Sequence, residues 1–291
     1  MNAIKPTYYI RSYRFADGRS LSLGSRTLIM GILNVTPDSF SDGGKYATLE
    51  KAVEHAKRME AEGADIIDIG GESTRPGFEP VPLEEELARV IPVIRAVREA
   101  VSVPISVDTY KAETARQALE AGAHIINDIW GFQRDPEIAH VAASYGCPVI
   151  LMHNRPVENR EASNYADFWT EMEADLKSAV ARAKAAGVKD ENIWLDPGIG
   201  FAKNYEEHLE LMGRLDRIVA LGYPVLLGTS RKSFIRRTLD VDVHDTLEGT
   251  AATQVLGIVQ GCQILRVHDV KQMKRVAQMT DAIVYRLAKR V

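Results

Sequence analysis

Residues 27–38 of this 291-residue chain read TLIMGILNVTPD and begin its first repeating unit. A short apolar run, Thr27–Leu33, passes directly into the polar residue Asn34 and then into a Thr-Pro-Asp turn. Short runs that are apolar throughout are typical of parallel strands buried on both faces. We therefore predict that Thr27–Leu33 is the first strand of a parallel sheet and that Asn34 stands at its carboxyl end.

Seven further apolar runs follow, and segments with helical periodicity separate them. The runs are Ile66–Ile69, Pro104–Val107, His124–Ile126, Pro148–Met152, Ile193–Leu195, Pro224–Leu227 and Ile264–Val267. Helices are predicted around Leu49–Met59 and Leu83–Ile94 (kinked or broken at Pro92), and at Lys111–Ala121, Pro136–Tyr145, Tyr165–Ala186, Tyr205–Leu221, Asp245–Gln260 and Val270–Ala288. Glycines suited to helix C-caps precede most of the strands: Gly63, Gly122, Gly146, Gly187, Gly222 and Gly261.

Eight strand–helix units in this length predict an α/β fold of the (β/α)8 TIM barrel type. The alternative is an open, doubly wound sheet, which usually carries a G-x-G-x-x-G phosphate loop after its first strand. Here Asn34–Asp38 follows instead, and that difference favours the barrel.

A turn sequence near the amino terminus predicts a β-hairpin. Asp17-Gly18 stands between two alternating runs, Tyr8–Phe15 and Ser20–Leu23. We expect this N-terminal hairpin, within residues 1–26, to cover the bottom of a barrel formed by residues 27–291. No low-complexity tract or linker divides the chain, so residues 1–291 are interpreted as one domain.

Composition excludes several classes of protein. Apolar residues make up 45% of the chain and charged residues 26%, which is typical of a globular protein. The net charge of −4 argues against a protein that binds mainly nucleic acid or an anionic membrane. The two cysteines are far apart, and we see neither a signal peptide nor an apolar run long enough to span a membrane. A cytoplasmic location is therefore predicted.

Polar residues follow the apolar runs, where a barrel enzyme places its active site. In order, they are Asn34; Gly70–Arg75; Asp108; Asn127 and Asp128; His153–Arg155; Asp196; Gly228–Ser233; and His268, with Arg266 inside the last run. The opposite ends of the runs carry mostly Gly, Ala, Pro or Val. A solvated rim does not explain single carboxylates and amides at the ends of buried strands, so we predict a functional site at one mouth of the barrel.

The residue types at this mouth limit the ligand. Asp108, Asn127 and Asp196 suit a flat heterocycle with N–H donors, and they could equally hold a metal ion. Asp196 has a third interpretation, as an acceptor for backbone amides of the Pro197–Gly200 turn. The basic residues here are Arg75, Arg231, Lys232, Arg266 and His268, and on an acidic protein they indicate an anionic substrate.

Seven motifs, in order from Met30 to Val270, resemble those of the dihydropteroate synthase family. They are Met30–Gly44, Gly63–Gly77, Ser106–Thr109, Ile126–Asp128, Leu195–Phe201, Gly228–Phe234 and Arg266–Val270. The resemblance implies a (β/α)8 enzyme of folate synthesis. It also implies that the chain forms a homodimer. Members of the family join p-aminobenzoate to 6-hydroxymethyl-7,8-dihydropterin pyrophosphate, with Mg2+, and release pyrophosphate.

The resemblance also implies roles for individual residues. Those implied to bind the pterin are Asp108, Asn127, Ile129, Met152, Asp196, Gly228, Lys232 and Arg266. Asn34, Arg266 and His268 are implied to bind pyrophosphate, and Asn34 with Asp42 to bind Mg2+. The p-aminobenzoate pocket is implied to contain Phe40, Thr74, Arg75, Pro76, Phe201 and Ser233. Asp108, Lys232, Arg266 and His268 are implied to be catalytic.

Three alternatives remain for the function. A pterin-dependent methyltransferase shares the barrel and the Asp/Asn pocket, but it has no need of the Thr74–Gly77 loop or of an anion site. A pterin-binding paralogue without catalysis should have lost some anion or loop residues, and all are present. A sugar-phosphate lyase barrel usually needs a Schiff-base lysine at a strand end, where Lys232 is the only lysine.

Overall fold

The structure is a computed structural model that describes residues 7–35, 45–72, 80–157 and 162–288. Its strands are β1 (Arg11–Arg14), β2 (Ser20–Leu23), β3 (Leu28–Asn34), β4 (Ile66–Gly70), β5 (Ile105–Asp108), β6 (Ile125–Asp128), β7 (Val149–Met152), β8 (Ile193–Asp196), β9 (Leu226–Leu227) and β10 (Ile264–Val267). Its helices are α1 (Lys45–Ala61), α2 (Leu83–Ala100), α3 (Ala112–Ala121), α4 (Glu137–Tyr145), α5 (Phe168–Ala185), α6 (Tyr205–Gly213), α7 (Leu215–Val219), α8 (Ser233–Leu239), α9 (Leu247–Val259) and α10 (Val270–Ala288).

The eight strands β3 to β10 form one parallel sheet that closes on itself. Hydrogen-bonded neighbours run in the order β8-β7-β6-β5-β4-β3-β10-β9. The two ends of this order meet at a parallel bridge between Leu195 and Val225, and beside it the Leu195 amide donates to the Pro224 carbonyl at 2.9 Å. The predicted (β/α)8 barrel is therefore confirmed, and all eight predicted strands are present.

Alternate residues of each strand pack into two different cores. Outward residues such as Ile67 and Leu195 pack against the helices. Inward residues such as Met30, Ile150 and Trp194 fill the lower half of the barrel with apolar side chains. These apolar side chains occupy the bottom of the barrel, and the inward-facing polar residues lie at its carboxyl end.

The N-terminal hairpin of β1 and β2 covers the bottom of the barrel, as predicted. Its residues Tyr13, Leu21 and Leu23 pack onto the inward apolar residues. The Tyr13 hydroxyl accepts a hydrogen bond from Trp194 Nε1 at 2.8 Å and donates to the Glu191 carbonyl at 2.6 Å. The hairpin thus closes the end of the barrel opposite to the polar mouth.

Replacing Tyr13 by phenylalanine should destabilise the protein without changing its chemistry. The buried Trp194 N–H would lose its acceptor, which typically costs about 1–3 kcal/mol. We expect urea unfolding to show this loss while kcat and KM stay unchanged. Tyr145→Phe is the matched control, because that hydroxyl is on an exposed side chain. A Tyr13→Phe protein as stable as the unmodified one would contradict the hairpin's role.

Two helix predictions differ from the structure. The segment Tyr205–Leu221 forms two helices, α6 and α7, because Arg214 between them leaves the helical region with φ −139°. The alternative of a break at Pro92 is wrong, since α2 continues through it. The Pro92 side chain is exposed, and buried neighbours such as Val90 and Ile94 pack α2 onto the barrel. That packing outweighs the hydrogen bond lost at proline.

The remaining compositional expectations concern helix ends, cysteines and membrane spans. All six predicted C-cap glycines have positive φ, for example 109° at Gly122. Cys147 and Cys262 are both buried and reduced. Within the described ranges, no helix combines the length and the apolar character needed to cross a membrane.

Candidate active site

The carboxyl mouth of the barrel is lined by inward residues at the ends of the strands. Asp68 of β4 pairs with Ser106 of β5, and Asp108 of β5 pairs with Asn127 of β6. Because every second residue of a strand faces the same side, these residues lie on the same face as the inward apolar core below them. Two pairs of polar side chains therefore face the barrel interior, and Asp108 and Asn127 lie two residues further along the strands than Asp68 and Ser106.

Arg266 of β10 lies across the barrel from these residues and joins two carboxylates. Its Nε donates to Asp68 Oδ2 at 2.6 Å, and its Nη2 donates to Asp108 Oδ2 at 2.7 Å. Asn127 Nδ2 donates to the same Asp68 oxygen at 3.2 Å. Burial raises the pKa of Asp108; Arg266 opposes this shift and the charge of Asp68 adds to it. One guanidinium is thus shared by two buried acids.

Three polar atoms in this cluster are buried without a hydrogen-bond partner. They are Asp68 Oδ1, Asp108 Oδ1 and Ser106 Oγ. Unsatisfied buried acceptors are costly and rare in folded proteins, so their grouping at one mouth indicates a ligand that donates N–H groups. Among the described residues, no group of three or more His, Cys, Asp or Glu side chains is arranged to hold a metal ion. The unpartnered oxygens favour the heterocycle interpretation of Asp108 and Asn127.

Asp68 and Ser106 were missed as site residues at the sequence level. Both lie within apolar strands, two residues before the strand end. Their inward direction follows from alternation once the strand end is known, so the period-2 pattern was the signal that could have found them.

Asp196, at the end of β8, has a partner in its own loop. Its Oδ1 accepts a hydrogen bond from the Gly198 amide at 2.7 Å, which confirms the interpretation of Asp196 as a backbone acceptor. Burial raises its pKa, and the Gly198 N–H opposes that shift. Met152 pairs with Asp196 in the barrel register, so one wall beside the carboxylate is apolar.

Two other residues predicted for the pterin pocket also lie at the mouth. Ile129 follows β6 directly and is 9% exposed. Gly228 follows β9, and a Cβ at this position would lie 3.9 Å from the Cβ of Arg266. A side chain larger than glycine there would occupy space beside the Arg266 stem.

Lys232 and Phe201 come together from two different loops. Lys232 Nζ lies 4.4 Å from the centre of the Phe201 ring. The lysine stem also packs against Gly200, where an added Cβ would lie 2.8 Å from Lys232 Cδ. Ser233 begins α8 next to Lys232, with its side chain exposed. A cation–π contact of this kind holds the Lys232 ammonium group against the Phe201 ring.

The loops after β9 and β10 are joined to each other. Ser230 Oγ lies 3.0 Å from His268 Nδ1 and accepts from the His268 amide at 3.2 Å. Arg231 pairs with Asp269 at 2.7 Å, so this arginine braces the two loops. Asn34 ends β3, the strand that pairs with β10. The residues predicted to bind pyrophosphate therefore lie at the ends of adjacent strands (Asn34 and Arg266) or directly after one of them (His268).

Five predicted site residues lie outside the described residues: Phe40, Asp42, Thr74, Arg75 and Pro76. The structure does describe a cluster at the edge of the segment that carries the last three. Lys111 Nζ donates to Glu72 at 2.8 Å, to Glu86 at 2.5 Å and to the Val81 carbonyl at 2.8 Å. Residues on both sides of this segment therefore form hydrogen bonds with Lys111 at the start of α3. The sequence analysis did not predict this cluster.

His208 of α6 is held in its neutral form. Its Nε2 accepts from the Gly200 amide at 2.6 Å, and its Nδ1 lies 2.6 Å from the Asn204 carbonyl. Burial, together with the positive charge of Lys203, lowers the pKa of His208 to about 4. Protonation would remove the acceptor of the Gly200 N–H.

We expect the stability contributed by His208 to be lost in acid. Its pKa is lower in the folded chain than in the unfolded chain, so the unfolded state binds more protons as pH falls from 6.5 towards 4. The measurement is the thermal midpoint against pH for the unmodified protein and for His208→Gln. The difference between them should shrink over this window. Other buried groups change the stability with pH in the opposite direction, such as Asp128, whose pKa is raised to about 7 by burial. Their contributions are present in both proteins and cancel in the difference between the two midpoints. A constant difference would refute the assignment.

Together, the fold and the site define a (β/α)8 barrel protein whose mouth carries unpartnered hydrogen-bond acceptors beside a group of basic residues. Comparison with known proteins agrees: the family described as pterin binding enzyme matches residues 30–268. The chain is 58% identical to the dihydropteroate synthase of Bacillus subtilis over 264 residues, covering 91% of each. It is 56% identical to that of Clostridium beijerinckii over 269 residues, covering 92% of this chain and 98% of the relative.

Solved structures give the same result. Dihydropteroate synthase from Clostridium difficile, in the presence of pteroic acid, matches with a TM-score of 0.86 and 50% identity, covering 89% of this chain and 97% of that one. The Xanthomonas albilineans enzyme with 4-aminobenzoic acid matches with a TM-score of 0.85 and 41% identity, covering 92% and 96%. The chain therefore belongs to the dihydropteroate synthase family of transferases.

Proposed function

We propose that this chain joins p-aminobenzoate to 6-hydroxymethyl-7,8-dihydropterin pyrophosphate, forming 7,8-dihydropteroate and pyrophosphate. The observation that carries the proposal is the buried pair of unpartnered oxygens on Asp68 and Asp108, with Arg266 between the two carboxylates. A pterin ring offers N–H donors to such acceptors. Membership of the dihydropteroate synthase family favours this reaction over methyl transfer.

The pterin is proposed to lie flat across the mouth of the barrel. Asp196 and Asn127 would bind its amino edge, and Asp108 would accept from N8. Lys232 would reach O4 and N5. The ring would lie among apolar or small residues, which are Ile129, Met152 and Gly228. Support comes from the position of all these residues at the carboxyl ends of strands or in the loops that follow them.

The reaction is proposed to begin with cleavage of the bond between the pterin methylene carbon and the pyrophosphate oxygen. The bonding electrons leave with pyrophosphate, and the ring, with Asp108 at N8, stabilises the carbon cation. Arg266, His268 and Asn34 would bind the leaving group, an electrostatic contribution that often dominates catalysis. The neutral aniline nitrogen of p-aminobenzoate then forms the new C–N bond and releases a proton.

The p-aminobenzoate pocket is proposed to combine Phe201 and Ser233 with Phe40, Thr74, Arg75 and Pro76. The support from the described residues is the place of Phe201 beside Lys232 and of Ser233 directly after it. In this arrangement the second substrate would lie on the open side of the pterin, where the aniline nitrogen would reach the methylene carbon.

Mg2+ is proposed to bind with pyrophosphate at Asn34, together with Asp42. Asn34 fits this role, because it ends β3 on the inward side and its amide offers an oxygen ligand. Mg2+ commonly takes only one or two protein ligands beside substrate phosphates and waters. When bound, the ion would neutralise charge on the leaving group.

We further propose that the chain is a single cytoplasmic domain that forms a homodimer through α9 and α10. These neighbouring helices expose large apolar side chains: Val255 and Leu256 on α9, Met279 and Ile283 on α10. Large apolar side chains exposed on neighbouring helices support an interface there. Light scattering should give twice the chain mass, and Met279→Glu with Ile283→Glu should give the monomer; an unmodified protein that is monomeric would refute the proposal.

The first experiment is pyrophosphate release from the pterin pyrophosphate with Mg2+, with and without p-aminobenzoate. The proposal requires release that depends on p-aminobenzoate and equals the dihydropteroate formed. Tight pterin binding without turnover would instead favour a binding paralogue. Methyl transfer to a corrinoid in place of pyrophosphate release would favour the methyltransferase.

A further inference from the structure

The loop between β8 and α6 has an unusual backbone. Three of its residues have positive φ: Gly198 at 70°, Gly200 at 90° and Ala202 at 52°. The left-handed conformation costs an alanine roughly 1 kcal/mol, so contacts around the loop must hold it in place. The same loop carries Phe201 and the Gly198 amide that binds Asp196.

Lys203, at the end of this loop, is buried with its ammonium group inside the protein. Its Nζ lies 3.1 Å from the Gly198 carbonyl, 3.0 Å from the Phe201 carbonyl and 3.0 Å from His153 Nδ1. An ammonium has three N–H donors and no acceptor, and here three acceptors surround it. The site therefore fits a protonated lysine.

His153 and Asp175 orient this contact. To accept from Lys203 at Nδ1, the imidazole must carry its proton on Nε2, which lies 3.1 Å from Asp175 Oδ2. Arg155 Nε donates to the same oxygen at 2.5 Å. A chain of hydrogen bonds therefore runs from Asp175 on α5 through His153 after β7 to Lys203.

Gly198 joins this chain to the site. Its carbonyl accepts from Lys203 while its amide donates to Asp196. A Cβ on Gly198 would lie 2.0 Å from the His153 carbonyl oxygen, so the loop is pressed against the end of β7. A shift of the lysine would thus move the Gly198 peptide and, with it, the Asp196 carboxylate.

We propose that Lys203 is a positioning residue: its ammonium, oriented by His153 and Asp175, holds the Gly198 and Phe201 carbonyls and thereby sets Asp196 and Phe201 for the two substrates. This inference rests on the proposed function of the site. It assigns a role to a buried cation that none of the proposed chemical steps uses.

The positioning depends on the charge of Lys203. Burial is the main cause that lowers the pKa of Lys203 to about 7, and the positive charge of Arg155 lowers it further. The carboxylates that oppose this shift are those of Asp196, Glu207 and Asp175. The other charged or titratable groups around it are His153, His208 and Lys232, of which both histidines have their pKa lowered to about 4 by burial. Above neutral pH the lysine loses a proton and one of its three donors, so kcat/KM should fall on the alkaline side.

The test compares Lys203→Met, Asp175→Asn and a control, Lys177→Met, which removes an exposed lysine from α5. kcat and KM for both substrates are measured between pH 5.5 and 9 by dihydropteroate formation. We expect Lys203→Met to lose about 100-fold in kcat/KM, since a displacement near 1 Å can cost that much. The alkaline limb should disappear with it. Asp175→Asn removes a negative charge, so the limb should move to lower pH. The control should match the unmodified enzyme.

Two results would overturn the proposal. One is a kcat/KM of Lys203→Met within about threefold of that of the unmodified enzyme, and the other is an unchanged pH profile of kcat/KM in Asp175→Asn. If Lys203→Met does not fold, Asp175→Asn alone decides by the position of its alkaline limb. An unmodified protein with no dihydropteroate formation would instead refute the proposed function, before any variant is compared.

Discussion

Replacing Arg266 by methionine is expected to lower kcat/KM for dihydropteroate formation by about 10³-fold, the size seen when a preorganised donor at a developing anion is removed. The guanidinium binds Asp68 and Asp108 and is proposed to contact the leaving pyrophosphate. Without it, two carboxylates would remain buried without a cation. Losing one partner of a buried ion pair typically costs about 3–5 kcal/mol of stability, which urea unfolding would measure.

Two further variants separate charge from geometry. Arg266→Lys keeps the charge, but a single ammonium lacks the planar fork that reaches both carboxylates, so we expect only partial recovery. Arg116→Met removes an arginine from exposed ion pairs on α3 and should leave kcat/KM unchanged. Activity of Arg266→Met within tenfold of the unmodified enzyme would contradict a role in the reaction.

Asp196→Asn is expected to weaken pterin binding by about 10- to 100-fold, since a hydrogen bond to a charged group contributes about 1.5–3 kcal/mol. The amide offers one acceptor and one donor where the carboxylate offers two acceptors. One of those acceptors is already used by Gly198, so the substitution leaves no second acceptor for the ligand. Calorimetry with pteroic acid gives the dissociation constant directly.

Asp128→Asn is the matched control for that experiment. Asp128 is also a buried carboxylate at the end of a strand, but both its oxygens accept backbone amides, from Trp130 and Phe132. Asparagine would leave one amide without an acceptor and lower stability by about 1–3 kcal/mol. Pteroic acid affinity should stay within about threefold of the unmodified protein. Equal loss of affinity in both variants would show that Asp196 acts only by supporting the fold.

The strands of the barrel were predictable because they are buried on both faces. Such strands are largely apolar, so β7, which is apolar throughout, stands out without knowledge of its neighbours. The glycines after the helices mark the turns for an equally local reason, because positive φ favours glycine. The helix pair α6 and α7 was predicted as one helix, because Gly213 beside the break at Arg214 was treated as a glycine within a continuing helical pattern.

The site was predictable only in part. Asp108, Asn127 and Asp196 stand at strand ends, where position alone indicates function in a barrel. Asp68 was missed because it lies inside an apolar run, and only the inward direction of its side chain brings it to Arg266. Lys203 was missed because a lysine in a loop is normally a solvated surface charge.

The sequence by itself determined the barrel, the end that carries the site and the family, because strand burial, glycine turns and ordered motifs are local features of the chain. The tertiary structure decided which charges meet. Arg266 and Asp68 are separated by 198 residues, and Lys203 and His153 by 50. Only the closure of the sheet and the packing of the loops bring such groups within hydrogen-bond distance, and burial then determines which of them remain charged.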